Sequence, residues 1–141
     1  MAFSDIISLD ILYMSNIGMG MASHNFGESV NCLERSFKPV FRQATVSFSI
    51  DDFIEQFNPP FPNYIKIDVD GIEDKIIDGA KKTLADKRFK SLLFEFNSKN
   101  KKKEKVFEIL KNAGLIFYSA KTLVHSKTSK YRFLKNYIFQ K

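Results

Sequence analysis

The sequence predicts an α/β fold, a layered sheet whose strands and helices alternate along the chain. Two observations carry this: stretches of period-two hydrophobicity are separated by stretches of helical period, and Gly or Pro punctuates the junctions. The 141 residues, 44% hydrophobic and 27% charged, suit one soluble domain spanning residues 1–141. Fifteen Phe and no Trp make rings, with Ile and Leu, the expected filling of its core.

"SLDILYM" (8–14) and "ATVSFSI" (44–50) set Leu9, Ile11 and Tyr13, then Val46, Phe48 and Ile50, on one face, and are expected as half-buried strands. Between them, residues 15–43 hold three of the six glycines and no sustained period, so a long loop with at most one turn of helix is expected. "SIDDFIEQFNPPFP" reads as an N-cap at Asp51, a short helix with Phe53, Ile54 and Phe57 inward, and a stop at Asn58 ahead of Pro59 and Pro60. "NYIKIDV" (63–69) is nearly continuous in hydrophobicity apart from Lys66, as in a parallel strand covered on both faces.

A helix follows in which Ile72, Ile76, Ala80, Thr83 and Leu84 form one stripe, with Lys75, Asp78, Lys81 and Lys82 facing water. Gly79 inside it costs about 1 kcal/mol relative to Ala, and a close approach to a neighbouring strand is the expected reason for it. "SLLFEF" (91–96) is the next strand. "KKEKVFEILKNAGL" is a helix with Val106, Phe107, Ile109, Leu110 and Ala113 as its apolar side and Gly114 as a left-handed stop. "IFYSA" and "YRFLKNYIF" close the chain as an antiparallel strand pair across "KTLVHSKTS".

Several function classes are disfavoured at once. The one cysteine, Cys32, cannot form an intrachain disulfide or a thiolate metal site, which fits a reducing, cytoplasmic setting. No apolar run approaches the roughly 20 residues that span a bilayer, and Asp5 and Asp10 stand where a signal peptide would carry Lys or Arg. The net charge of +6 is uneven: from Lys99 to Lys141, twelve Lys and Arg face two acids, Glu104 and Glu108. Such density attracts phosphate-bearing or anionic partners, although a solvated helix face is the plainer account. "NSKNKKKEK" has no aromatics to stack on bases, which argues against nucleic acid.

In an open α/β sheet, ligands bind beyond the carboxyl ends of parallel strands. Asp68, Asp70 and Gly71 occupy one such end, and Glu95 and Asn97 the matching end of the next strand, so the two sets converge if the strands are neighbours. Oxygen-bearing side chains of this kind suit magnesium, hydroxyl binding or proton acceptance. Asp70 with Glu73 is equally readable as a D-x-x-E capping box. Lys66 reads as a snorkelling edge residue or a carboxylate's partner. His24 and His125 are isolated, Cys32 has no adjacent base, and "GMG" at Gly18–Gly20 lacks the third glycine of a dinucleotide fingerprint.

"YIKIDVDGIEDKIIDGAKKTLADKRFKSLLFEFN" resembles the signature of the FkbM-type methyltransferase family: I-K-I-D-V-[ED]-G-x-E, an amphipathic helix reading I-x-x-G-A, then a strand ending in Glu. Weaker similarity lies on both sides, at "SFSIDDFI" and "NYIF". The resemblance implies a Rossmann-like sheet, mostly parallel with a C-terminal antiparallel strand pair. It also implies S-adenosylmethionine-dependent O-methylation of a sugar, lipid or small-metabolite hydroxyl. Lys66, Asp68, Asp70, Gly71, Glu73, Gly79 and Glu95 fall on the signature, which implies Asp68, Asp70 and Glu95 as the catalytic set. Lys66, Glu73 and, from the strand-end argument, Asn97 join them as substrate-binding residues.

The family's opening strand, glycine-rich cofactor turn and second acidic strand end have no counterpart before "SLDILYM". The expectation is therefore an N-terminally truncated sheet, with no cofactor-binding residue assigned and an open edge that invites homo-oligomerisation or another partner. No metal ligand is assigned, and magnesium is compatible with the carboxylates without being required by them. Two readings compete with the methyltransferase: a non-catalytic binding module with a basic C-terminal surface, and a metal-dependent hydrolase using Asp68, Asp70 and Glu95.

Overall fold

The period-two runs pair into two sheets rather than one. The computed structural model describes residues 1–18, 24–33, 35–122 and 132–141, so His125 and part of "GMG" lie outside the described residues. The first sheet comprises β1 (Ala2–Phe3), β2 (Ser8–Met14), β3 (His24–Phe26) and β4 (Phe41–Phe48), in the order β1-β4-β2-β3. β2 and β4 pair antiparallel from Ser8 opposite Ser47 to Met14 opposite Phe41.

The face expected inward is partly so, with Ile11, Tyr13 and Phe48 half-buried and Ile50 buried, but it is reversed at Leu9, 72% exposed, and Val46, 43% exposed, while Ser47 is fully buried. Satisfied polar groups explain the reversal, because the Ser47 hydroxyl donates to the Ile6 carbonyl at 2.9 Å and lies 2.9 Å from the Ser8 hydroxyl. Buried hydroxyls with partners carry little penalty. β3 occupies part of the stretch expected to be a loop, and Ile50 leaves the strand to begin a helix.

That helix, α1 (Ile50–Phe57), is capped by Ser49, whose hydroxyl accepts the Asp52 N–H, and not by Asp51. Asp51 instead reaches across to accept the Lys82 and Thr83 N–H groups, both at 2.8 Å, and the Thr83 hydroxyl at 2.6 Å. α1 stops at Asn58, whose φ of 44° precedes Pro59. Phe57 is 56% exposed rather than inward.

The second sheet comprises β5 (Tyr64–Ile67), β6 (Ser91–Asn97), β7 (Ile116–Lys121) and β8 (Leu134–Gln140), in the order β5-β6-β8-β7. β5 and β6 are parallel, and β8 lies antiparallel to both β6 and β7. β5, β6 and β7 therefore point one way with β8 reversed between two of them. The expected C-terminal antiparallel pair is β7 with β8.

The expected mostly parallel sheet is corrected to a mixed architecture: among the described residues, β1–β4 and β5–β6 pair in parallel and the other four ladders are antiparallel. The cause is connection length, since parallel neighbours need a crossover and short returns do not. β5 is an edge strand with Tyr64 70% exposed, not a strand covered on both faces.

Between β5 and β6 the expected single helix breaks into α2 (Glu73–Asp78) and α3 (Lys81–Ala85). Gly79 is at the break. A Cβ there would lie 2.4 Å from the Ser4 carbonyl oxygen and 2.9 Å from Ser49 Cβ, so only glycine fits. The Gly79 carbonyl accepts the Asp51 N–H at 3.0 Å, and the Asp51 carboxylate caps α3, so one residue stabilises both sides of the break. α4 (Lys103–Asn112) joins β6 to β7 and ends at Gly114, φ 78°. Ile77, Leu84, Leu92, Phe94, Val106 and Leu110 form the driest part of the core. Rings of Phe94, Phe107, Tyr137 and Phe139 pack beside them at centroid distances of 5.0 to 6.0 Å.

Gly79→Ala separates two effects. Helix propensity alone predicts a gain of about 1 kcal/mol, whereas the contact with the Ser4 carbonyl predicts a loss of about 1–3 kcal/mol. Urea unfolding is expected to show the loss, and a more stable variant would contradict the close approach.

Candidate functional site

β5 and β6 pair in register from Tyr64 opposite Ser91 to Ile67 opposite Phe94. The next residues, Asp68 and Glu95, consequently stand side by side where β5 runs out. Alternation along β6 sends Leu92, Phe94 and Phe96 into the core and Leu93, Glu95 and Asn97 to the opposite face. There Glu95 and Asn97 join Glu73 of α2 in the wall of a cavity of about 300 Å³ that Cys32, Asn100 and Lys101 also line.

A distant segment completes this cavity. Asn25 on β3 is 2% exposed, and its side-chain Nδ2 donates to the Val30 carbonyl at 2.7 Å and to the Asp70 carbonyl at 3.2 Å. The His24 N–H donates to Asp70 Oδ2 at 3.3 Å. Gly71, φ 119°, lets the turn come this close, since a Cβ would sit 3.3 Å from Asn25 Nδ2. Asn31 and Cys32 are thereby held against the strand end. Sequence reasoning missed Asn25, Asn31 and the placement of Cys32, because the partners of "HNF" lie more than 40 residues away and leave no local pattern.

Of the expected site residues, Glu73, Glu95 and Asn97 share the cavity, and Asp70 belongs to the turn beside it. Asp68 and Lys66 pair with each other at 2.6 Å, both more than half exposed, so Lys66 is a carboxylate's partner. The D-x-x-E capping box is not the arrangement: the N-cap of α2 is Ile72, without a side-chain cap, and Glu73 Oε1 accepts the Gly71 N–H at 3.1 Å.

Burial pushes the Glu73 carboxyl up to about 8, with Asp74 and Asp70 adding to it and backbone N–H bonds partly offsetting it. Glu73 is therefore protonated at neutral pH. Burial also raises Glu95, helped by the charges of Asp68 and Asp70 and opposed by Lys66. Burial and the carboxylates of Asp70, Glu73 and Glu95 push the Cys32 thiol up to about 11, so it is a neutral wall group rather than a nucleophile.

A second cavity, about 550 Å³, runs beside β5 among Phe3, Leu12, Phe26, Ile65 and Ile76, with His24 and Lys66 as its polar side chains. Among the described residues no three His, Cys, Asp or Glu side chains are placed to hold a metal ion, and no helix is long and apolar enough to cross a membrane.

Comparison of the sequence with known families gives the class: residues 7–117 match the Methyltransferase FkbM domain. That stretch is most of the chain, and the chain belongs to the FkbM methyltransferase domain family. No curated protein and no solved structure matches it.

The family implies S-adenosylmethionine, whose ribose diol asks for a carboxylate close to an apolar slot for adenine. The larger cavity offers the slot without a carboxylate and the smaller offers carboxylates without the slot. Among the described residues the apolar lining and the carboxylates thus stand in separate cavities, and no residue is assigned to the cofactor.

Glu73 makes stability pH-dependent. Its folded value of about 8 lies above its ordinary 4.5, so the stability it contributes is fully present below pH 4.5 and lost as pH rises through 8. Within that window each pH unit removes at most about 1.4 kcal/mol. Urea unfolding at several pH values is expected to show the decline in the native chain and a flatter profile in Glu73→Gln. Equal slopes would show that Glu73 is not buried with its proton.

Proposed function

We propose that the smaller cavity is the acceptor site of an O-methyltransferase acting on a sugar, lipid or small-metabolite hydroxyl, with S-adenosylmethionine as the methyl donor implied by the family. The observation that supports it is the meeting of Glu95, Asn97 and Glu73, from two elements, in one cavity at the carboxyl end of a parallel strand pair.

In this reading Glu95 accepts the proton that the acceptor hydroxyl loses, and its raised proton affinity brings it closer to the working pH of a general base. Protonated Glu73 donates a hydrogen bond to an acceptor oxygen. Asn97 spends its Oδ1 on the Lys99 N–H at 3.0 Å, which leaves its NH₂ to orient the ligand. Asp68 and Asp70 act through their charge on Glu95, and Lys66 holds Asp68 in place. Alignment of the hydroxyl is the larger part of the task, because methyl transfer depends chiefly on geometry.

Among the described residues the outer edge of β5 has no partner strand, which supports association with a further strand. The single free Cys32 supports a reducing, cytoplasmic setting. The binding-module reading accounts for the basic C-terminal surface but gives the carboxylate cavity no task.

Radiolabelled methyl transfer to a pool of hydroxylated acceptors tests the proposal. Glu95→Gln is expected to lower turnover by roughly 10²–10⁴-fold, the usual contribution of a general base. Turnover undiminished in Glu95→Gln would remove Glu95 from the mechanism. A native chain that binds acceptors without transfer would favour the binding module.

A further inference from the structure

We propose that the ligand of the smaller cavity is a phosphorylated sugar, with its hydroxyls against Glu95, Glu73 and Asn97 and its phosphate at Lys101. This rests on the acceptor-site reading and names the class of acceptor.

The cavity wall is mixed in character. It carries Glu73 and Glu95, hydrogen-bonding groups suited to hydroxyls, and Glu28, which lies 3.9 Å from Lys75, while the turn after β6 brings Asn100 and Lys101 to the same cavity. That turn is fixed by its own hydrogen bonds: the Asn100 N–H donates to the Asn97 carbonyl at 2.9 Å, and Asn100 Oδ1 accepts the Lys102 N–H at 2.8 Å. With the side-chain oxygens of Asn97 and Asn100 both engaged, the amides present NH₂ groups to a ligand. Lys102 is bound to Asp74 at 2.9 Å. Lys101 forms no ion pair with a carboxylate among the described residues, and it stands in the cavity wall.

A bare anion would be repelled by the Glu95 and Glu28 carboxylates, and a neutral sugar would satisfy the amide donors but leave the charge of Lys101 unmatched. A molecule with hydroxyls at one end and phosphate at the other matches both, and lysine suits phosphate as a point charge. A volume of about 300 Å³ lies at the small end of ligand sites, about 300–1,000 Å³, which suits one sugar ring. A free monoester and a phosphate that links the sugar to a nucleotide or lipid share this recognition chemistry.

Cys32 is the only cysteine and lines the cavity; its thiol is mostly neutral, but the small thiolate fraction reacts slowly with excess iodoacetamide, so the ratio of alkylation rates with and without a sugar reports occupancy without requiring methyl transfer. The full chain is alkylated with gluco, galacto and manno hexose 1-phosphates, the matching free hexoses, nucleoside diphosphate hexoses, or inorganic phosphate. At least one phosphorylated sugar is expected to slow alkylation fivefold or more, with free hexoses and inorganic phosphate below twofold. Protection by monoesters alone identifies a free sugar phosphate, and protection by the nucleotide-linked forms identifies a phosphodiester-linked sugar. Lys101→Ala, verified as folded by circular dichroism and thermal melting, is expected to lose the protection.

Equal protection by free hexoses or by phosphate alone, no protection in any arm, or protection retained in Lys101→Ala would overturn the proposal. Protection without any methyl transfer would sink the acceptor reading and leave the ligand class standing. Transfer confined to unphosphorylated hydroxyls would sink the ligand class alone.

Discussion

Parallel pairing of β5 with β6, with Ile67 opposite Phe94, determines where Asp68 and Glu95 stand. Side chains alternate along a strand, so a slip of one residue would send Glu95 and Asn97 into the core and bring Phe94 and Phe96 out to the cavity. The buried rings of Phe94 and Phe96 prevent that slip, since large apolar side chains gain about 1.5–3 kcal/mol each from burial. Packing on one face of β6 thus fixes chemistry on the other.

Two long-range polar contacts complete what the pairing begins. Asp51 bonds the Gly79 carbonyl through its backbone and caps α3 through its side chain, which holds the broken helix against α1. Asn25 fastens the segment carrying Asn31 and Cys32 to the Asp70–Gly71 turn, and so walls the cavity that β6 opens. Each contact joins a segment that precedes β5 to the turn or helices that follow it. The site therefore draws on both parts of the chain, with Glu28, Asn31 and Cys32 from the first and Glu73, Glu95 and Asn97 from the second.

Much of the second sheet was legible in the sequence because its signals are local. "SLLFEF" alternates, Val106 and Leu110 recur at helical spacing, and Gly114 ends its helix with a positive φ. Placing Asp68 beside Glu95 needed only the inference that consecutive strands joined by a helix are neighbours. The first sheet was less legible, since Ser47 is buried through partners on Ile6 and Ser8 that periodicity does not reveal, while Leu9 faces out. Asp51 showed a capping composition but not which helix it caps. The role of Asn25 lay beyond any local pattern, because both the sharp turn at Gly71 and its buried partner had to be known together.

The register of β5 on β6 is tested most directly by a paired substitution in a Cys32→Ser background. Lys66 and Leu93 are opposite residues, and neighbouring strands lie about 4.8 Å apart, within the Cα range of about 4.4–6.8 Å that a disulfide spans. Lys66→Cys with Leu93→Cys is expected to oxidise readily to a monomeric disulfide, while Tyr64→Cys with Leu93→Cys, two residues out of step, remains reduced. Bond formation in the second pair and not the first would show a different register, and would separate Asp68 from Glu95.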